Sequence, residues 1–255
     1  MKYLLVIFLS VLPIILLWKY INNLDPRKEP KNILLKLFLG GFLAIIITLV
    51  ISYLLSFIFD DFFEYEVSKG LVGFLYTVLG IGLVEEFSKF LMLYVFGWND
   101  KNLDETYDII LYPMIVSLGF AATENIMYSL DGGIATSIFR IFTAVPGHVF
   151  DGAFMGYFLY LYRMNSNKKN NLILAVLAPS LIHGIYDYIA FTAENVFDIL
   201  VFIIFVVAEF IVAKKLIKNM AKNSIIFSFS EIFCSNCGTK IKTRFCPNCG
   251  KERQL

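Results

Sequence analysis

Histidine is nearly absent from this chain. Its 255 residues include two, His148 and His183. Neither stands in an H-E-x-x-H pattern, so that metalloprotease helix is excluded. Cysteine is absent before residue 234, and all four cysteines lie in the last stretch. No internal repeat is visible, which leaves an inverted-repeat transporter without support. The net charge, +1 at neutral pH, says nothing by itself about partners. The first apolar run, 3–17, is followed by no small-x-small cleavage site. Its Trp18-Lys19-Tyr20 flank reads as an interfacial anchor rather than the end of a signal peptide.

What the chain has in excess is apolar residues, 58% of the total with a mean hydropathy of +0.71. An ordinary soluble domain is about half apolar, and here the excess falls in runs of about 20 or more, the length that crosses a bilayer core. The expected fold is an all-α polytopic bundle in the lipid bilayer. About seven transmembrane helices are expected, roughly at 3–21, 33–59, 71–97, 107–130, 134–162, 171–191 and 195–217. Helices are required because each span must satisfy its own backbone. The basic loops, 22–32 and 163–170, and the Lys214, Lys215, Lys218 and Lys222 cluster fall on one side of seven alternating spans. The positive-inside rule then puts the N-terminus outside and the C-terminus in the cytoplasm of a bacterial or archaeal cell membrane. Loop 98–106 is the weakest vote, with Lys101 against three acids.

Several apolar runs carry ionisable groups, each costing roughly 2.5–3.5 kcal/mol at the centre of a helix on the insertion scale. The third holds Glu85, Glu86 and Lys89. Glu85 and Lys89 share a helix face at i,i+4, and one lysine cannot neutralise both acids. The fourth run holds Glu124 beside Asn125. The fifth holds His148 after Pro146-Gly147, with Asp151 at i+3. The sixth holds His183 and Asp187 at i,i+4, close enough for the acid to bind the imidazole or share a ligand with it. At about 1.5 Å per helical residue, Glu85 and His148 come out near mid-membrane, with Glu124, His183 and Asp187 in the outer half. Independent structural polar residues have no reason to share one slab.

The C-terminal stretch CSNCGTKIKTRFCPNCG spaces Cys234, Cys237, Cys246 and Cys249 as C-x2-C-x8-C-x2-C. In a reducing compartment this spacing predicts a zinc ribbon over 231–252, with structural Zn2+ held by the four thiolates. The expected domains are a transmembrane body over 1–218, a linker over 219–230 and the ribbon. Lys240, Lys242, Arg244 and Lys251 read as the solvated face of a tail that docks a cytoplasmic protein, rather than as a nucleic-acid site.

Taken together, Glu85-Glu86-x-x-Lys89, Phe120-x-x-x-Glu124-Asn125, His148 with Asp151, and His183-x-x-x-Asp187 resemble the PrsW family of intramembrane proteases, relatives of the CAAX-type prenyl-protein endopeptidases. The likeness spans roughly 70–190 with its motifs in family order. It implies hydrolysis of a membrane-protein substrate, and bacterial members are linked to extracytoplasmic cleavage of membrane-bound anti-sigma factors. Where the CAAX relatives carry His and often Asn, this chain has Glu124 and Asp187. The catalytic set expected is Glu85, Glu86, Glu124, His148, His183 and Asp187. In one version Glu85 or Glu86 draws a proton from water, Glu124 positions it, His183 held by Asp187 steadies the oxyanion and His148 assists. In the other, Glu124, His148 and His183 hold a catalytic metal with Glu85 as base. A membrane sensor or scaffold, or an ion-coupled transporter, are the rival readings.

Overall fold

A computed structural model of the chain describes residues 2–58, 67–164, 169–226, 232–233, 236–237, 239–241 and 248–251. Eight α-helices carry the body: α1 (Lys2–Leu24), α2 (Lys31–Ser56), α3 (Leu71–Leu75), α4 (Leu83–Phe96), α5 (Asp108–Phe142), α6 (Ala144–Met164), α7 (Lys169–Thr192) and α8 (Val196–Lys222). A π-helical segment, Tyr76–Gly82, joins α3 to α4 without a break. Local chemistry fixes several ends. Pro30, with its backbone extended, starts α2 and its carbonyl accepts from Ile33 N. The Asn195 side chain accepts from Asp198 N and caps α8.

Among the described residues, six helical stretches are long and apolar enough to cross a membrane: Tyr3–Leu24, Lys31–Ser56, Leu71–Phe96, Asp108–Met164, Lys169–Thr192 and Val196–Lys222. The count of about seven is corrected to six stretches because two of the expected spans, 107–130 and 134–162, run on as one helical unit of 57 residues. Gly133, at φ 76°, breaks the helical path, and the unit doubles back. A Cβ on Gly152 would lie 2.7 Å from Pro113 O, and one on Gly156 2.5 Å from Ile110 Cα, so the returning arm packs closely along the first.

The first part of α5 is the axis of the bundle. Every residue from Asp108 to Ala122 is buried, which its apolar sequence all round the helix allows. α1, α2 and α6 pack on it. Outward positions such as Leu39, Ile46, Leu49, Ile204 and Ile211 are exposed leucines and isoleucines suited to lipid. At one end, the 25–30 and 97–107 loops meet the chain after α8, where Thr106 N donates to Ile225 O and Glu105 bridges to Ile226. At the other end Lys69 pairs with Glu194 and Asp198.

The zinc ribbon is a second correction. Its described residues hold only β1 (Ile232–Phe233) paired antiparallel with β2 (Lys240–Ile241), two residues on each side. So short a pairing has no independent stability in water. Cys237 and Cys249 are exposed, Cys234 and Cys246 lie outside the described residues, and among the described residues no cysteine joins a group of metal-ligating side chains. The ribbon, its structural zinc and the cytoplasmic partner assigned to it are therefore not carried forward. Of the other expected features, most of loop 60–70 and part of loop 163–170 also lie outside the described residues, as do Lys242 and Arg244.

Candidate active site

The π segment sets up the site. Its wider turn ends at Gly82, just before Glu85 and Glu86, and π turns recur at functional positions. A Cβ on Gly82 would fall 2.5 Å from Ser180 O, and one on Gly184 2.4 Å from Val78 Cα. Only glycine at these two positions lets the segment lie this close to α7. That crossing puts the two glutamates of α4 opposite His183 and Asp187.

Two imidazoles stand at the centre, their rings 5.1 Å apart between centroids. Each is held at both nitrogens. His183 Nδ1 lies 3.1 Å from Glu86 Oε1 and 3.3 Å from Asp151 Oδ2; its Nε2 lies 3.5 Å from Glu85 Oε2 and 3.4 Å from Asp187 Oδ2. His148 Nδ1 lies 3.1 Å from Lys89 Nζ, and its Nε2 lies 2.6 Å from Glu124 Oε2. Lys89 is itself buried. It pairs with Glu86 at 2.6 Å and Glu85 at 3.5 Å, and sits 4.1 Å over the Phe120 ring. Arg140 closes the far side, donating to Glu124 Oε2 at 2.8 Å and to Asn125 Oδ1 at 3.0 Å.

All six residues expected at the site thus meet in one cluster inside the bundle. Four neighbours were not in that set: Asp151, Arg140, Tyr186 and Glu209. With Glu124, His148, His183 and Asp187 they line one cavity, where Gly147 adds a wall without a side chain. Arg140 and Glu209 had a legible signal, an ionisable group in an apolar run. Tyr186, next to Asp187, had none.

The cluster also has the composition of a metal site. Ligand atoms of Glu86, His148, Asp151 and His183 lie within 4.8 Å of one another, and so do those of Glu85, Glu124 and His148. The expected trio of Glu124, His148 and His183 is split between these groups, which share His148. Three observations fit a cation. Glu86 Oε2 and Asp151 Oδ1 are buried oxygens with no hydrogen-bond partner. His183 faces carboxylates at both nitrogens, whereas a neutral imidazole has one N–H. The carboxylates also outnumber the fixed cations Lys89 and Arg140.

Imidazoles and carboxylates assembled inside membrane-length helices define an intramembrane hydrolytic enzyme. The PrsW family intramembrane metalloprotease matches residues 29–213, and the chain belongs to that family. It is an integral membrane protease of bacterial type, which displaces the scaffold and transporter readings. Protease PrsW of Oceanobacillus iheyensis is 32% identical over 223 residues, 85% of this chain and 96% of the relative. Protease PrsW of Clostridioides difficile is 32% identical over 229 residues, covering 86% and 93%. That of Bacillus subtilis is 32% identical over 183 residues, covering 69% and 78%. No solved structure matches the chain.

Proposed function

We propose that the paired-imidazole cluster hydrolyses a peptide bond of a membrane-protein substrate, with Glu85 as the general base. The observation that carries this reading is the different bonding of the two adjacent glutamates. Glu86 Oε1 is engaged by Lys89 at 2.6 Å and by His183 Nδ1 at 3.1 Å, and its side chain is fully buried. Glu85 makes only long contacts, 3.5 Å to Lys89 and 3.5 Å to His183 Nε2. A proton acceptor needs a lone pair that water can reach: Glu86 Oε2 is unpartnered but sealed off, whereas Glu85 keeps a little exposure; a positioning carboxylate needs firm partners. Glu85 suits the first role and Glu86 the second.

His183 presents Nε2 between Glu85 and Asp187 and steadies the carbonyl oxygen as negative charge grows there. Asp187 and Asp151 orient that ring. His148 carries its proton on Nε2 and donates a hydrogen bond to Glu124; the proton that Glu85 takes from water is the one passed on to the departing amine as the C–N bond breaks. Arg140 and Asn125 keep Glu124 in place. A metal, when bound, would be held by carboxylates and imidazoles of the two groups that share His148, and would supply Lewis-acid polarisation of the carbonyl or a more acidic water.

The substrate class is a membrane-anchored regulator such as an anti-sigma factor, cut on the extracytoplasmic side. This rests on the family likeness and on depth. Asp187 lies near the end of α7, on the Lys69–Glu194 end of the bundle, and His148 lies deeper, beyond the reversal at Gly133. Loop charge makes that end the outer one, with the C-terminus inside and residues 1–218 as the protease body. The test is cleavage of a candidate substrate by reconstituted protein. Glu85→Gln should abolish turnover with normal accumulation and an unchanged melting temperature. Wild-type turnover by that variant would remove Glu85 from the chemistry.

A further inference from the structure

A second group of carboxylates lies at the opposite end of the bundle, away from the imidazoles. Asp25 follows α1, Glu105 closes the loop before α5, and Asp108 opens α5. All three are buried, at 3%, 2% and 0% exposure, and one carboxylate oxygen from each lies within 4.8 Å of the other two. Part of this group is accounted for by the backbone. Asp25 accepts from Arg27 N and Glu29 N, and Asp108 Oδ2 accepts from Asp104 N and Glu105 N. The remainder is not. Glu105 Oε1 and Asp108 Oδ1 are buried oxygens with no hydrogen-bond partner. Of the nearby fixed cations, Arg27 pairs with Asp104 at 3.6 Å, Lys28 binds the backbone carbonyls of Asn22 and Asp25, and Arg163 lies over the Trp98 ring, near enough for its charge to act on Asp108.

Buried carboxylates crowded this closely, with orphaned oxygens among them, require a proton or a cation between them. We propose that Asp25, Glu105 and Asp108 bind a hard divalent cation, Mg2+ or Ca2+, at a site separate from the catalytic cluster. The donors are all oxygens, the ligand chemistry of these ions, with no imidazole or thiolate to select a softer metal. Its role is a clasp. Asp25 belongs to the α1–α2 connection and Glu105 to the loop before α5. Glu105 also bridges to Ile226 after α8, and Tyr107 N donates to Ser224 Oγ beside it. One ion would thus tie together two segments far apart in sequence, beside the hydrogen bonds that already hold the chain after α8.

The experiment uses the full chain in detergent, stripped with chelator and titrated separately with Mg2+ and Ca2+ while melting is followed. Terbium serves as the luminescent probe, since Tyr107 adjoins Asp108 and the Tyr112 hydroxyl donates to neighbouring Glu29 at 2.6 Å. The expected result is a saturable rise in melting temperature and tyrosine-sensitised terbium emission that Ca2+ or Mg2+ displaces; the better competitor names the ion. Glu105→Gln keeps the backbone bond to Asp108 and should weaken both signals roughly tenfold or more by removing one ligand charge. Glu85→Gln, in the other cluster, should keep them. If Glu105→Gln does not accumulate, Asp25→Asn takes its place with the same expectation. Equal cation responses in wild type and the ligand variants would overturn the site. So would no response in wild type, which would make this a proton-sharing acid cluster.

Discussion

Lys89 Nζ lies 3.1 Å from His148 Nδ1. An ammonium group has only donors, so Nδ1 accepts and the ring proton stands on Nε2, 2.6 Å from Glu124 Oε2. A lysine that lies outside the cavity lining therefore selects which nitrogen of the histidine donates its hydrogen bond. The same lysine holds Glu86 at 2.6 Å, and Glu86 holds His183 at 3.1 Å. Lys89 and Glu86 thus form a buried strut behind both imidazoles, and the cavity-facing nitrogens inherit their roles from it.

Lys89→Met should destabilise the protein by about 3–5 kcal/mol, because it leaves Glu86 buried without its ammonium partner, and should abolish cleavage. The informative variant combines Lys89→Met with Glu86→Gln. With both charges gone, most of the melting temperature should return. Cleavage should not, since the donor to His148 Nδ1 is still missing. Melting and turnover measured on the single and double variants separate the two effects. A double variant that cleaves like wild type would reduce the strut to a packing device.

Two glycines near the site should behave in opposite ways. A Cβ on Gly147 would meet nothing within 4 Å, because it would project into the cavity. Gly147→Ala should therefore fold normally, or melt slightly higher as helix propensity improves by up to about 1 kcal/mol, while cleavage falls as the methyl group takes space from substrate. A Cβ on Gly184 would lie 2.4 Å from Val78 Cα. Gly184→Ala must push α7 off the π segment, costing roughly 1–3 kcal/mol of overpacking and separating His183 from the glutamates. Normal cleavage by Gly147→Ala would mean that substrate approaches from another side.

The site's charged members were legible because each stands out in its own apolar run. Glu85, Glu124, His148 and His183 are costly in lipid, and that cost alone marked them. Arg140 and Glu209 carried the same signal within the segments that supply the cavity wall. What spacing could not convey was the third dimension. The π turn at Tyr76–Gly82 depends on how closely Gly82 and Gly184 let two helices approach. The reversal at Gly133 merged two expected spans into one helical stretch. Asp25, Glu105 and Asp108 are brought together by loops and have no common period. The cysteine spacing near the C-terminus predicted a ribbon because pairs of C-x2-C usually share an ion; two residue pairs and exposed thiols do not make that fold.

Sidedness has a direct check. Ser68 is exposed at the end of the bundle where Lys69 meets Glu194, and Lys101 is exposed at the end where Arg27 meets Asp104. In a background with the native cysteines replaced, Ser68→Cys should react with an impermeant thiol reagent on intact cells. Lys101→Cys should react only after lysis. The reverse pattern would turn the bundle over and carry the cleavage site to the cytoplasmic side.

Glu29 gives the protein a pH dependence outside the membrane-spanning helices. Burial pushes its carboxyl up from the ordinary 4.5 to about 7; the bond from the Tyr112 hydroxyl opposes this, and the charges of Asp25, Asp104 and Glu105 add to it. In this window the folded protein holds a proton that the unfolded chain has released. Stability therefore falls as pH rises from about 4.5 to 7 and levels off above. Gln at this position does not titrate and can still accept from Tyr112. Glu29→Gln should thus melt close to wild type at the acid end of the window, with its advantage growing as pH rises to the alkaline side of 7. Melting curves for both proteins across this range, with chelator present so that no cation supplies the missing charge, test the sign. A constant difference would show that Glu29 is ionised throughout.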